Sequence, residues 1–467
     1  MSARMHRPLL LGALLTLAGC AVGPDYQRPD TALPAQFREM APWKAAEPRD
    51  DLPRGPWWES YGDPQLNALA AQVAIANQNI VAAAAQLRLA QAALGGAQAV
   101  YFPVFAGSAS ASRGQGVSTN TTQGSAAAPV RNTDRLGLTA SWEADVWGRI
   151  GRSVEAGAAT AEASAADLQA ALLSTQATLV QTYLQLRVND AQRHLLERTA
   201  LAYERSLQIT RNRYAAGIAG RIDVAQAQTQ LKSTQAQAID LRVQRAQLEH
   251  AIAVLIGQPA ADFSLSENGA LPSLPPVPIS LPSTLLERRP DIAAAERRAA
   301  AANAQIGITQ AAFFPSLTFS ASGGYQGSGL AQLLSLPNRF WSLGPALALT
   351  LFDGGARSAQ KAQAIAAYDK TVAGYRQSVL SAFQEVEDNL AALRILADEA
   401  EMQREAALFA AESLRLTDNQ YQAGTVAYLN VVTAQATALG AERGSLEIAG
   451  RRLLASVALF KALGGDW

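Results

Sequence analysis

The sequence predicts an α+β membrane protein in which four strands and a set of long helices are laid out in two tandem copies. Three observations predict it. The first is an internal repeat. "RYAAGIAGRIDVAQAQ", from Arg213, returns as "QYQAGTVAYLNVVTAQ" from Gln420, so Tyr214, Gly217, Val224 and Gln228 recur as Tyr421, Gly424, Val431 and Gln435. The second is a set of runs that alternate apolar and polar residues with a period of two. The third is a pair of long tracts without proline, rich in the helix formers Ala, Gln and Leu.

Bulk composition narrows the function classes. Net charge is zero and only 17% of the 467 residues are charged, so no basic excess exists to bind nucleic acid. A single cysteine, Cys20, excludes a disulfide framework and a thiolate metal cluster. It closes the stretch "RMHRPLLLGALLTLAGC". Arg4 and Arg7 form a positive start, and Leu9 to Ala18 form an apolar run too short to span a bilayer. Leu17-Ala18-Gly19-Cys20 matches a bacterial lipobox. Segment 1–19 therefore reads as a signal peptide, and Cys20 as the site of a covalent lipid, here palmitate and related acyl chains. Residue 21 is Ala and not Asp, which by resemblance to other lipoproteins favours export to the outer membrane.

Segment 20–60 is Pro-rich and aperiodic, and reads as an extended lipidated arm. Segment 61–103 reads as a helix of the first repeat, and 286–315 as its copy: "AQAALGGAQAVYFP" from Ala90 returns as "ANAQIGITQAAFFP" from Ala302. After each comes a strand pair, 104–146 and 316–352. In the first, Leu136, Leu138, Ala140, Trp142, Ala144 and Val146 alternate with Arg135, Gly137, Thr139, Ser141, Glu143 and Asp145. In the second, Leu317, Phe319 and Ala321 alternate with Ser316, Thr318, Ser320 and Ser322, and Trp341, Leu343, Leu347, Leu349 and Leu351 form another apolar row. Strands with one apolar and one wet face, about ten residues long, suit a transmembrane β-barrel. No later run of 18 or more apolar residues predicts a membrane-crossing helix.

Segments 147–257 and 353–460 read as helical hairpins. A continuous helix over Ser153 to Tyr214 would reach roughly 90 Å at 1.5 Å per residue. Each hairpin turns at the repeated motif, where Gly217, Gly220 and Gly424 supply residues able to take positive φ past a helix end. Between the halves, 258–285 is a Pro-rich connector containing "LPSLPPVPISLP", and 461–467 is a short tail.

No catalytic constellation emerges. His6 lies in the signal, and His194 and His250 lie far apart on helical tracts with no ligand spacing. "GGYQGSG" lacks a P-loop lysine, and "ERRPDIAAAERR" reads as a helix start with local ion pairs. The expectation is a non-enzyme without cofactor or metal, apart from the lipid on Cys20.

Four strands cannot close a barrel, and open edges in lipid leave backbone groups unpaired at several kcal/mol each. Copies must therefore pool strands in multiples of four, and pool helical hairpins with them.

"WWESYGDPQLNALAAQVAIANQNI", "WEADVWGRIGRS", "LLERRPDIAAAERRAAAANAQIGITQAAFFPSLTFSASGGY", "LFDGG" and "LFKALGGDW" resemble, in order and over the whole mature chain, the TolC-type outer-membrane efflux lipoproteins of the NodT-like branch. The resemblance implies a homotrimer: a twelve-stranded outer-membrane barrel, four strands per chain, continued by a periplasmic α-helical barrel. It implies a passive exit duct for drugs or other small toxic molecules in a tripartite multidrug efflux system. The partners would be a periplasmic adaptor (membrane fusion) protein and an inner-membrane pump, often of the resistance-nodulation-division class. Exported peptides or proteins, metal ions, or a non-pore periplasmic scaffold are the alternatives. Gly217 and Gly424 match helical-tip glycines that adaptors contact, and Leu429 matches an apolar ring near the periplasmic constriction. Positions where relatives often place Asp and Arg are here Thr433 and Ala436. Closure is therefore expected to rest on Leu429 and on polar pairing around Asn430 and Asp223.

Overall fold

The computed structural model describes residues 21–30, 55–115, 130–276 and 288–465. Cys20, the signal segment, most of the N-terminal arm and part of the Pro-rich connector lie outside them. In chain order the elements are α1 (Pro64–Ala76), α2 (Gln78–Ala99), β1 (Val104–Gln115), β2 (Val130–Ala144), α3 (Arg149–Ala215), α4 (Arg221–Leu255), α5 (Pro290–Ala311), β3 (Ser316–Gly327), β4 (Arg339–Ala348), α6 (Ala356–Gln422) and α7 (Tyr428–Ala462). The described chain is thus mostly helical with four strands. Both α3 and α6 hold 67 residues, and both α4 and α7 hold 35. The tandem repeat is therefore one of whole elements, not of a short motif.

Two differences from the sequence reading have local causes. The segment 61–103 holds two helices, not one. Asn77 takes an extended backbone between them, and its Oδ1 accepts from the amides of Asn79 and Ile80, which restarts the helix. Its Nδ2 donates to the Leu255 carbonyl at 2.8 Å. Residues 64–99 together are apolar and long enough to cross a membrane by length and composition. Leu66, Leu69, Ala70 and Val73 of α1 are instead buried in a protein core. The second difference is at β4, which ends at Ala348, so Leu349 and Leu351 follow the strand.

The chain divides into two compact units. One holds residues 21–30, 87–164 and 295–375. Its centre is a single antiparallel sheet in the order β1-β2-β3-β4. Segment 21–30 is tied to this unit by specific bonds. The Val22 amide donates to the Trp147 carbonyl (3.1 Å), Arg152 pairs with Asp25 (2.8 Å), and Tyr26 donates its hydroxyl to Glu296 Oε1 (2.7 Å). Burial, with the Glu296 carboxylate second, pushes the Tyr26 hydroxyl above its ordinary range.

The other unit holds residues 55–86, 165–294 and 376–465 among those described. Its main core joins the turn Trp57–Tyr61 and α1 to α3, α4 and α7. Tyr61, Leu66, Val73, Tyr183, Ile252 and Val457 are each at most 1% exposed. Trp57 stacks on Phe460 at 5.2 Å, and the Tyr61 hydroxyl meets Ser456 Oγ at 2.7 Å, satisfying a buried phenol. A buried ion network clasps residues 265–268 to α3 and α4. Asp190, fully buried, accepts from Arg245 Nε (2.8 Å), Arg187 Nη1 (3.4 Å) and the Asn268 amide (3.2 Å).

Candidate functional site

The sheet has two chemically distinct faces because the register brings like residues into line. Trp142 lies opposite Phe319, which lies opposite Pro345. Phe105, Ala140, Ala321 and Leu343 form the next such row, and Gly107, Leu138, Gly323 and Trp341 the one after. The other face carries Ala106, Thr139, Ser322 and Ser342 in one row and Ser141, Ser320 and Gly344 in another. Residues Leu138, Trp341, Leu343 and Leu347 are 67–76% exposed in the single chain. Such a continuous apolar surface marks an interaction with lipid or another copy.

Indole groups gather at one end of the sheet. Trp142 Nε1 donates to the Tyr101 carbonyl and Trp147 Nε1 to the Pro315 carbonyl, both at 2.8 Å. Trp147 stacks on Phe314 at 4.7 Å. Amphipathic rings at the end of an apolar strand face form the belt found where lipid meets water. Just past it, Asp145 caps α3 through the amides of Ile150 and Gly151, and Arg149 grips Glu143 with two bonds of 3.0 and 2.8 Å.

The hairpin tips in the second unit are built alike. Gly217 has φ 75° and Gly424 φ 80°. In each, the amide after the glycine reaches back five residues: Ile218 to the Arg213 carbonyl (2.9 Å) and Thr425 to the Gln420 carbonyl (3.0 Å). An apolar cluster of Tyr203, Leu207, Ala227, Leu231, Tyr421, Tyr428 and Val431 packs the four helices behind the tips. Tyr421 and Tyr428 meet edge to face at 5.2 Å, and the Arg213 guanidinium lies over Tyr421 at 4.7 Å while donating to the Gln422 carbonyl.

The sequence-predicted tip residues fall into two groups. Leu429 and Thr433 sit one turn apart on α7. Leu429 is 56% exposed, and Thr433 Oγ1 donates to the Leu429 carbonyl at 3.0 Å. Asn430 is exposed beside them. Asp223 is on α4, where Oδ2 accepts from the Gly220 amide at 3.0 Å and caps the start of that helix. Among the described residues no hydrogen bond joins Asp223 to Asn430; Asp223 serves its own helix start. Cys20 lies outside the described residues.

With the geometry in hand, comparison with known proteins decides the family. The sequence profile of the outer membrane efflux proteins matches residues 69–258 and 281–465. The chain belongs to the outer membrane efflux protein family. The pyoverdine export outer membrane protein OpmQ of Pseudomonas aeruginosa is 30% identical over 464 residues, spanning 98% of this chain and 96% of its own. The toluene efflux pump outer membrane protein TtgI of Pseudomonas putida is 31% identical over 466 residues, spanning 99% and 98%. The solved structure of the outer-membrane channel OprN matches with a TM-score of 0.87 at 31% identity, over 96% of this chain and 100% of its own. The protein is an outer-membrane component of efflux, as the sequence resemblance implies, and the four-stranded sheet is the part suited to the membrane.

Sequence reading missed several residues that build these sites. Tyr428 and Arg213, which lock the tip cluster, carried no signal beyond a helical pattern. Asp190, Arg187 and Arg245 carry no distinctive sequence signal: Arg187 and Asp190 look like an ordinary i,i+3 pair, and the bonds that join them to α4 and to residues 265–268 come from far along the chain. Asp145 could have been found, because an acid five residues before Ile150 and just ahead of a helix is a cap signal.

Proposed function

We propose that three copies of the chain form a passive exit duct of a tripartite efflux system. Each contributes four strands to a twelve-stranded outer-membrane barrel and two helical hairpins to a periplasmic α-barrel. Acyl chains on Cys20 add a second hold on the outer membrane. The tips at Gly217 and Gly424 receive a periplasmic adaptor, which couples the duct to an inner-membrane pump of the resistance-nodulation-division type. Leu429, with Asn430 and Thr433 beside it, narrows the periplasmic end, and Asp223 keeps the neighbouring tip in shape. Energy comes from the pump; the chain hydrolyses nothing and needs no cofactor.

The observation that carries this reading is the sheet: one apolar face, one Ser/Thr/Gly face and two edge strands, β1 and β4, each paired on one side only within the chain. Such a sheet is stable in lipid only when other copies complete its ladder and enclose the wet face. The named exports of relatives, pyoverdine and toluene, differ widely in chemistry. A duct that leaves cargo choice to its pump accommodates that range, and drugs or other small toxic molecules are the class we assign. The test is conductance of the purified protein in planar bilayers. The wild type is expected to form channels of low conductance, and Leu429→Ala to raise it. A wild type that passes no ions would refute the duct, whereas an unchanged Leu429→Ala conductance would remove Leu429 from the constriction.

A further inference from the structure

On the Ser/Thr/Gly face one cation is mounted in an unusual way. The register aligns Ser108, Gly137, Gly324 and Phe340 in a row across the four strands. Gly324 has no room for a side chain: a β-carbon there would come within 2.1 Å of the Leu136 carbonyl oxygen. At Gly137 a β-carbon would meet Cζ of Phe340 at 3.5 Å. Phe340 therefore starts on β4, crosses β3 over Gly324 and ends above Gly137 of β2, so its ring lies along the sheet. The Arg135 guanidinium sits over that ring, 4.6 Å from its centre.

The charge on this face is one-signed towards the loop end. Residues of β2 that share the face are Arg131, Thr133, Arg135, Gly137, Thr139, Ser141 and Glu143. Glu143, at the far end, is held by Arg149 in a two-bond ion pair. Asp134 has the opposite parity and is buried, 8% exposed. The cross-strand neighbours of Arg135 are Ser110 and Gln326, both uncharged. No carboxylate pairs with Arg135 among the described residues. The connecting stretches 116–129 and 328–338 carry no charged residue in sequence. An aromatic face holds a guanidinium without using up its N–H donors, so Arg135 keeps them for a passing anion.

We infer that Arg135, mounted on Phe340, gives the outer end of the bore a preference for anionic solutes. This rests on the duct proposed above, because only there does the Ser/Thr/Gly face enclose water. Closure by several copies would then set one Arg135 per copy in a ring, and rings of fixed charge bias the ions that cross a narrow pore. The test is the reversal potential of single channels in a potassium chloride gradient at low ionic strength, where screening is weak. Arg135→Gln is expected to lower the chloride-to-potassium permeability ratio. Ser110→Asp, which places a carboxylate directly across from Arg135 and leaves the arginine in place, is expected to lower it as well. Variant channels of wild-type conductance with an unchanged ratio would overturn the inference while leaving the duct intact. If Arg135→Gln yields no folded protein, Ser110→Asp alone decides. A wild type that forms no channels would instead strike the duct itself.

Discussion

At Asp190 one carboxylate answers two guanidiniums inside the protein. Arg187 is 2% exposed and Arg245 8%. Beyond Asp190, Arg187 donates to the Ser266 carbonyl at 3.0 Å and to the Tyr183 hydroxyl, and Arg245 donates to the Leu265 carbonyl at 2.8 Å and pairs with Glu249 at 2.8 Å. The Tyr183 hydroxyl in turn donates to Asp63, the residue that caps α1. Burial first, and the Asp63 bond second, keep that phenol protonated well above its ordinary range. Removing one member of such a network leaves buried charge without compensation. Asp190→Ala should therefore destabilise the protein by about 3–5 kcal/mol, the range for breaking a buried ion pair. Asp190→Asn should do less harm, since its amide oxygen still accepts from Asn268. Thermal melts of the detergent-extracted protein, followed by helical circular dichroism, measure both. Equal melting of Asp190→Ala and wild type would show that the cluster is not a clasp.

The elements were legible to different degrees, for physical reasons. Strand faces were plain because a period of two needs only a few residues to declare itself, and Leu136 to Ala144 does so without error. Gly217 and Gly424 were equally plain, since a positive φ leaves few alternatives to Gly, whereas Gly220 takes an extended φ of −82° as the N-cap of α4. The break at Asn77 was hidden, because an asparagine within an Ala-rich tract reads as a neutral helix residue until its side chain caps the next turn. Asp223 has a capping role that was hidden for a similar reason: an acid three residues into a helix fits a cap as well as a gate, and here it accepts from the Gly220 amide. The docking of residues 263–268 was invisible, being set by partners on α3 and α4. On α3, Arg193 grips Glu267 and holds its carboxyl below the usual glutamate range, chiefly by hydrogen bonding. The sign follows from the lowered value. With the folded pKa depressed, the contribution is present above the ordinary value of 4.5 and lost as pH falls through the folded one. Limited proteolysis between pH 7 and pH 3 should show cleavage in this connector rising only at the acid end, with Glu267→Gln cleaved faster at pH 7 and with little further change. A variant as resistant as wild type at neutral pH would mean that Glu267 holds nothing down.

For the whole molecule, the tandem repeat told the sequence reader what one chain contains but not how many chains are needed. The repeat yields four strands, and hydrogen-bond closure in lipid demands only a multiple of four. The number three came from family resemblance, and no residue in the single chain encodes it visibly. The chain does show the open edges that the proposed assembly would use. Its β1 and β4 are edge strands with uncharged stretches: Phe105 to Ser112 on one, Phe340 to Ala348 on the other. Soluble sheets often blunt such edges with charged residues, proline or bulges; these stretches carry no charge and a single proline, Pro345. An antiparallel barrel closes when β1 of one copy meets β4 of the next, which also places Phe105 and Leu343, members of one apolar row within the chain, at the two seams. We predict that native mass spectrometry of gently extracted protein will give three times the mass of one lipidated chain, with no stable monomer in lipid. Four copies would keep the pooled edges and replace the twelve-stranded barrel by one of sixteen. A single copy that stays folded and membrane-inserted would contradict the edge argument at its root, because its open ladder would have to stand unpaired in hydrocarbon.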